Sequence, residues 1–407
     1  MTIATPLRPG QRTRTSPSGT GPSARRRLAD RLRRFSPGPT DRNVLWLYVL
    51  TRTGVWTTAY CTRWLFPADR KTHDVQPALA SWGQWDWWHY LHIAQSGYFP
   101  GGAGPWTDGW DNREAFFPGF PLLLRAVHTV IPDWTVAGLL ISFVSGAVAV
   151  LALARIARLH GVTGQRTVLF FLLSPCAVFL AAGYTEALFL ALALPAWLAA
   201  QRRNWPLAGV LACLATGVRV SGLFLAAALA VHFVVTAEAP RHWRSLPWVA
   251  LPALPAALYA WFLHAHTGDW MAWNHAQERG WYRNFHAPWE AWQNTWKAAF
   301  AHTQSTGYAV MFQAELLTMV VGVVLLGVLL RRRRWPEAVY VGLSLWALGT
   351  SYWYTSIPRA TLLWWPMWVL LAGWSVRRRG LKGAYICVVA PLSTVLTITF
   401  MSGRWAG

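Results

Sequence analysis

The sequence predicts an all-α polytopic membrane protein, a bundle of about eleven transmembrane helices with large external loops that carry short interfacial helices. Composition is the first reason: 54% of the 407 residues are hydrophobic and 13% are charged. A soluble domain carries roughly 25% charged residues, so this chain has too little polar surface to stay dissolved. The second reason is the recurrence of apolar runs of about 20 residues, the length a helix needs to cross ~30 Å of hydrocarbon at ~1.5 Å per residue. The third is charge placement. The net charge is +21, yet the basic residues come in short clusters between apolar runs rather than along one face, a pattern of membrane topology and not of a nucleic-acid partner.

Residues 1–42 are rich in Arg, Pro, Ser, Gly and Thr with few apolar anchors, and read as a disordered tail. No apolar run precedes Val44, so the tail is expected to stay attached rather than to be removed as a signal peptide. Segments 43–66, 134–154, 310–330, 336–355, 359–376 and 382–402 each reach spanning length. The apolar stretch 164–200, interrupted at Ser174-Pro175 and at Tyr184-Thr185-Glu186, predicts two crossings joined by a tight external turn. Segment 246–266 supplies another crossing, kinked or started late by its three prolines.

Arginine accumulates in the tail, at Arg155/Arg158, Arg202-Arg203, Arg241/Arg244, Arg331 to Arg334 and Arg377 to Arg379. Placing all of these in the cytoplasm puts loops 67–133 and 267–309 outside and requires an even number of crossings in 205–237, as two short spans or a re-entrant hairpin around Arg219. The expected organisation is a cytoplasmic tail 1–42 and a membrane domain 43–407, multi-pass in the cell membrane. Cys61, Cys176, Cys213 and Cys387 stand singly in apolar segments, which suggests neither a disulfide framework nor a thiolate metal site. Loops longer than about 12–15 residues are usually functional, so the chemistry is expected in the two long loops on the outer face.

The first of these loops holds Gln84-Trp85-Asp86-Trp87-Trp88-His89-Tyr90-Leu91-His92-Ile93-Ala94-Gln95-Ser96-Gly97-Tyr98. At helical spacing Trp87, Tyr90, Leu91 and Ala94 share a face, predicting a short helix along the membrane surface with Asp86 at its N-terminus. Aromatic anchoring alone accounts equally well for a Trp-rich interfacial helix. Further on, the segment Arg113 to Arg125 is an apolar run broken by Pro118, Gly119 and Pro121, either a dip into the outer leaflet or a structural elbow. Glu186, Arg219 and Arg359 lie in or at the ends of apolar spans, where a charge normally faces a cavity and a partner. Snorkelling to the interface is the alternative near a span end, and Arg52 carries the same ambiguity.

Trp85-Asp86 with Ile93-Ala94 and Gly97-Tyr98, then Phe116-Phe117-Pro118 to Pro121, then Ser174-Pro175 to Tyr184-Thr185-Glu186, resemble the PIG-V-like mannosyltransferases of the GT-C superfamily. Thr216 to Gly222 around Arg219, and Ser356-Ile357-Pro358-Arg359, are similar to that family's later motifs in the same order, with Gln84 and Ala360 departing from its usual Arg and aromatic residue. The resemblance implies a GT-C-like bundle that takes mannose from a polyprenyl-phosphate mannose donor on the outer face and passes it, with inversion, to a hydroxyl of a glycan, glycolipid or protein. It implies Asp86 as the general base, while the charge on the departing phosphate calls for guanidinium groups. Arg219 and Arg359 are the candidates, with Arg113 and Arg125 in reserve. Trp85, Trp87, Trp88, Tyr90, Tyr184 and Glu186 are the substrate-binding candidates; Glu186 could instead hold an arginine or serve as a turn residue. Trp270, Trp273, Trp281, Tyr282 and Trp289 make the second loop the expected acceptor side. No metal or other cofactor is expected, and the partners beyond the two substrates are membrane lipids.

Other readings share the span pattern. A related transferase using a different lipid-linked sugar would keep the fold and the base, and a lipid-linked sugar transporter would share the buried arginines but favour an internal repeat, which is not evident. His89 and His92, with the other loop histidines, could place imidazoles on one face for a metal, although no acidic or cysteine ligand completes a motif.

Overall fold

Among the described residues every regular element is helical. The computed structural model describes residues 38–66, 77–100, 112–236 and 240–407, so the predicted tail, apart from its last five positions, and parts of the first long loop lie outside the described residues. The chain divides into Met1–Arg42 and a larger unit, Asn43–Gly407.

Helix α1 (Pro39–Leu65) is followed by the short α2 (Asp86–Ser96) and α3 (Gly119–His128). Next come α4 (Trp134–Leu159), α5 (Gly164–Leu172), α6 (Thr185–Gln201), α7 (Trp205–Val218) and α8 (Ser221–Val235). A proline-kinked element follows, α9 (Leu246–Ala250) and α10 (Leu254–Thr267), then the second loop's α11 (Ala272–Trp281) and α12 (Pro288–Phe300). The chain closes with α13 (Thr306–Arg331), α14 (Trp335–Gly349), α15 (Ile357–Ala360), α16 (Trp365–Arg377) and α17 (Arg379–Met401). The starts are chemically specified: Asp133 caps α4 by accepting from the Val136 amide, and Asn204 caps α7 through the Leu207 amide.

Among the described residues, four segments are long and apolar enough to cross a membrane: Trp134–Leu159, Trp243–Thr267, Thr306–Arg331 and Arg379–Met401. The core is assembled from α4 against α6, α6 against α7, α8 against α14, and α13 against α12 and α14. Several predicted crossings take another form. The stretch 164–200 holds two helices, α5 and α6, broken where Ser174-Pro175 and Tyr184-Thr185-Glu186 predict, but their connection is not a tight turn: α5 has 9 residues, about 13 Å at ~1.5 Å each, and residues 173–184 run on as a largely buried, broken segment. Pro175 prevents α5 from continuing, and the carbonyls freed by the break find partners elsewhere. Arg52 of α1 donates to the Ala177 and Leu172 carbonyls (2.9 and 3.4 Å), and the Ser142 hydroxyl donates to Ala182 at 2.6 Å. Arg52 is 2% exposed, so it serves inside the bundle as a backbone cap, not as a snorkelling side chain. The predicted span 359–376 is likewise interrupted, by a 3-10 turn at Thr361–Leu363, whereas α7 and α8, 14 and 15 residues long and meeting at Arg219, have the short paired form expected of 205–237.

The predicted helix at Asp86 is present, with Trp87, Tyr90, Ile93 and Ala94 as its buried face. Trp87 fixes it to the bundle. Its ring lies between Gly138 of α4 and Gly183, where a methyl group on either glycine would come within 2.5 Å of the indole. Gly183→Ala is therefore expected to force Trp87 out of place, lowering stability by about 1–3 kcal/mol. Thermal unfolding of the detergent-purified protein checks this; an unchanged transition would mean the indole has room to move.

Candidate functional site

Asp86, Tyr90, Arg219 and Arg359, all singled out by sequence, line one cavity of about 490 Å³ together with Phe116, Thr185, Trp273, Trp281, Arg283 and Ser356 among others. Each charged residue at or behind it stands at a helix end or a break. Asp86 opens α2, and Glu186 lies in the first turn of α6, where the helix dipole favours a carboxylate. Arg219 stands in extended backbone between α7 and α8. Arg359 follows Ser356, whose backbone is left-handed at φ 67°. Trp85, immediately before Asp86, also has a positive φ of 49°. Such conformations are uncommon outside glycine and gather where surrounding structure holds a functional group in a set direction.

The charges form one network. Arg359 donates from Nη1 to Asp86 Oδ2 and from Nε to Glu186 Oε1, both at 2.6 Å. Arg219 donates from Nη1 to the same Glu186 oxygen and to the Thr185 hydroxyl, which lies 3.3 Å from the Tyr90 hydroxyl. The Arg359 guanidinium also lies 4.6 Å from the Phe179 ring centre and 4.8 Å from that of Tyr184, so aromatic faces fix its plane. Glu186 is fully buried while the Asp86 side chain keeps 19% exposure, so Glu186 lies behind the arginines and Asp86 faces the cavity. Burial pushes the Asp86 carboxyl up, but Arg359, helped by His89 and Arg219, outweighs it and holds the carboxyl below the ordinary aspartate value.

The other predicted residues are placed differently. Glu186 takes the arginine-holding alternative. Tyr90 reaches the cavity; Tyr184 sits beneath it, its hydroxyl donating to the Gln84 carbonyl. Trp87 is buried between the two glycines, and Trp85 and Trp88 are 45% and 51% exposed; none of the three is among the residues that line the cavity. Arg113 and Arg125, the reserve phosphate ligands, close the C-terminal end of α2: Arg113 donates to the Gly97 carbonyl (2.7 Å) and the Ser96 hydroxyl (3.0 Å), and Arg125 to the Ala94 and Gln95 carbonyls. The reason is geometric, since a helix end leaves carbonyls without intrahelical partners and these guanidinium groups are the donors at hand. His89 stacks on Phe116 with ring centres 4.7 Å apart, and among the described residues no three His, Cys, Asp or Glu side chains gather as a metal site would require.

The two long loops are clasped together. From α11, Trp273 and Gln277 donate to the Ala115 carbonyl (3.1 and 3.0 Å) and Arg279 donates to Asn112 Oδ1 at 3.1 Å. This clasp sets Trp273 and Trp281 over the cavity, whereas Trp270, Tyr282 and Trp289 are 61%, 59% and 67% exposed.

Two residues escaped the sequence reading. Glu315, fully buried in α13, accepts the backbone N–H groups of Ser356 (2.7 Å) and Ile357 (2.8 Å), holding the turn that aims Arg359. An acid alone in an apolar span is a signal of the same kind as Glu186. Glu315→Gln, which can accept only one of these bonds and turns an amide donor toward the other N–H, is expected to lower stability by about 1–3 kcal/mol. A thermal transition equal to wild type would show that the turn stands without this clamp. Arg283 is the second. Nothing in the sequence separates it from its neighbour Arg279, yet it lines the cavity.

Residues 72–239 match the family model described as Mannosyltransferase (PIG-V). The chain is 31% identical over 218 residues to GPI alpha-1,6-mannosyltransferase 2 of Mus musculus, a match covering 49% of this chain and 41% of that protein. It is 34% identical over 186 residues to the Cricetulus griseus protein of that name (42% and 34% covered) and 35% identical over 165 residues to the Homo sapiens one (37% and 31%). The matches thus span less than half the length of these relatives. The resemblance read from the motifs is borne out, and the matched region holds Asp86, Glu186 and Arg219 but neither Arg283 nor Arg359.

Proposed function

From the match of residues 72–239 to the PIG-V mannosyltransferase family model, we propose that this membrane protein transfers mannose from a polyprenyl-phosphate mannose donor to a hydroxyl acceptor, inverting the anomeric centre. The observation that carries this reading is the Asp86–Arg359–Glu186–Arg219 network at the cavity: a carboxylate facing open space with two guanidinium groups held beside it.

The acceptor oxygen attacks the sugar's C1 from the face opposite the phosphate. Its proton passes to the Asp86 carboxylate, the C1–O bond to phosphate breaks, and polyprenyl phosphate departs with the bonding electrons. Asp86 returns the proton to solvent. A base held at a low pKa suits a transition state with oxocarbenium character, in which the hydroxyl becomes acidic as its oxygen bonds to C1. The charge gathering on the phosphate is met by Arg219 and Arg359, bidentate donors that need no metal. Glu186, behind them, keeps both guanidinium groups pointed at the cavity before substrate arrives, so little reorganisation is left for the reaction itself.

The same reading takes the bundle as GT-C-like with about eleven crossings, the broken helices α5, α7, α8 and α16 completing them with their flanking segments. It puts the Arg clusters and the N-terminus in the cytoplasm and the cavity at the outer face. The test is to incubate membranes expressing the protein with radiolabelled polyprenyl-phosphate mannose, follow label into lipid, glycan and protein fractions, and digest the product with an α-specific mannosidase. Label released by that enzyme, from a β-linked donor, supports inverting transfer. No transfer from the mannose donor would sink the reading.

A further inference from the structure

Arg283 is the cavity's unexplained charge. Helix α11 ends with Tyr282 in the left-handed region (φ 54°), and the Arg283 amide turns back to the Gln277 carbonyl at 3.3 Å. That reversal delivers Arg283 to the cavity wall shared with Asp86, Arg219 and Arg359. Its Nε is buried with no hydrogen-bond partner. The carboxylates that act on it are committed: Asp86 is held by Arg359, and both oxygens of Glu315 accept backbone N–H groups. Glu186 gives one oxygen to both Arg219 and Arg359. Three guanidinium groups therefore line this cavity with a single carboxylate, Asp86, and Arg219 and Arg359 already engage Asp86 and the buried Glu186 behind them. A guanidinium carrying a buried unpaired donor is expensive unless an anion completes it, and its planar fork matches the oxygens of a phosphate.

We infer that Arg283 binds a phosphate group of the lipid-linked substrate in the cavity it lines with Arg219 and Arg359. The identity of that lipid rests on the mannosyl-transfer reading; the anion site rests on the geometry. The phosphate is either the monoester of the departing polyprenyl phosphate or the diester of a phosphatidylinositol-type acceptor, both of which present oxygens a guanidinium can fork.

Binding can be measured on the full chain in maltoside micelles with three probes: radiolabelled polyprenyl phosphate, uncharged polyprenol and phosphatidylinositol. Wild type, Arg283→Ala and Arg283→Lys are compared after equal elution and thermal transitions establish that each is folded. Wild type is expected to hold polyprenyl phosphate more tightly than polyprenol, and Arg283→Ala to lose about tenfold or more of its affinity for polyprenyl phosphate with polyprenol unchanged, since a charge-assisted bond is worth that factor. Arg283→Lys, retaining the charge but not the fork, should fall between. A loss confined to phosphatidylinositol supports the site and assigns the phosphate to the acceptor. Unchanged binding of both phosphate lipids by a folded Arg283→Ala protein overturns the inference. Mannosyl transfer assayed in parallel separates the two ideas: Arg283-dependent binding without transfer removes the mannosyl reading alone, and transfer with Arg283-independent binding removes this inference alone.

Discussion

Asp86→Asn is expected to reduce mannosyl transfer by about 10²–10⁴-fold, the usual contribution of a general base, while leaving the protein inserted and folded. Asparagine matches aspartate in shape, and the Asp86 side chain sits at the cavity rather than in the core. What is lost is the lone pair that takes the acceptor's proton. The pH profile of the wild type gives a second measure. Because the pairing with Arg359 holds the Asp86 carboxyl below its ordinary value, the basic form prevails throughout pH 5–8 and is lost only on acidification below the ordinary aspartate pKa of about 3.9. No acid limb belonging to Asp86 should therefore appear above that value. Transfer by a folded Asp86→Asn protein at the wild-type rate would remove Asp86 from the chemistry.

Arg359→Ala is expected to remove activity and to destabilise the protein together. Its guanidinium is 9% exposed and bridges two carboxylates, and deleting one partner of a buried ion pair costs about 3–5 kcal/mol because the remaining charge is left uncompensated. Arg359→Lys should not restore transfer. The two bonds leave Arg359 from different nitrogens, Nε toward Glu186 and Nη1 toward Asp86, and a single ammonium cannot reproduce a planar fork packed against the Phe179 and Tyr184 rings. A thermal scan reads the first effect. Donor titration reads the second, with a raised KM as well as a lowered kcat expected if the guanidinium touches the phosphate. Full transfer by Arg359→Lys would show that charge alone suffices.

The parts of the site legible in the sequence were those governed by local rules. Asp86 opens a short amphipathic run, though its role as base rests on the family resemblance; Glu186, Arg219 and Arg359 stand out because a charge beside an apolar span needs a reason. The same rules overreached at Arg113 and Arg125, which are arginines near the motif but cap the end of α2. They also overreached at Trp87, whose aromatic ring suits a sugar face as well as it suits a slot between two glycines. Residue type and spacing are the same in both cases; only the direction of the side chain differs. Glu315 could have been found by the charge rule that found Glu186. No local pattern marks Arg283, because what distinguishes it is the reversal of chain direction at Tyr282.

By itself the sequence determined that this protein is helical and built for a membrane, and which family it resembles over residues 72–239. These follow from composition, from apolar run length and from motifs in fixed order, properties a chain carries before it folds. The tertiary structure alone decided that Arg359 meets Asp86 across 273 positions and Glu186 across 173. It alone decided that the break at Pro175 runs on as a buried segment, and that Arg52 is spent on the carbonyls this break exposes. Hydrophobicity sets how much of a segment must leave water, whereas the pairing of buried charges and freed backbone groups depends on which segments come to lie side by side.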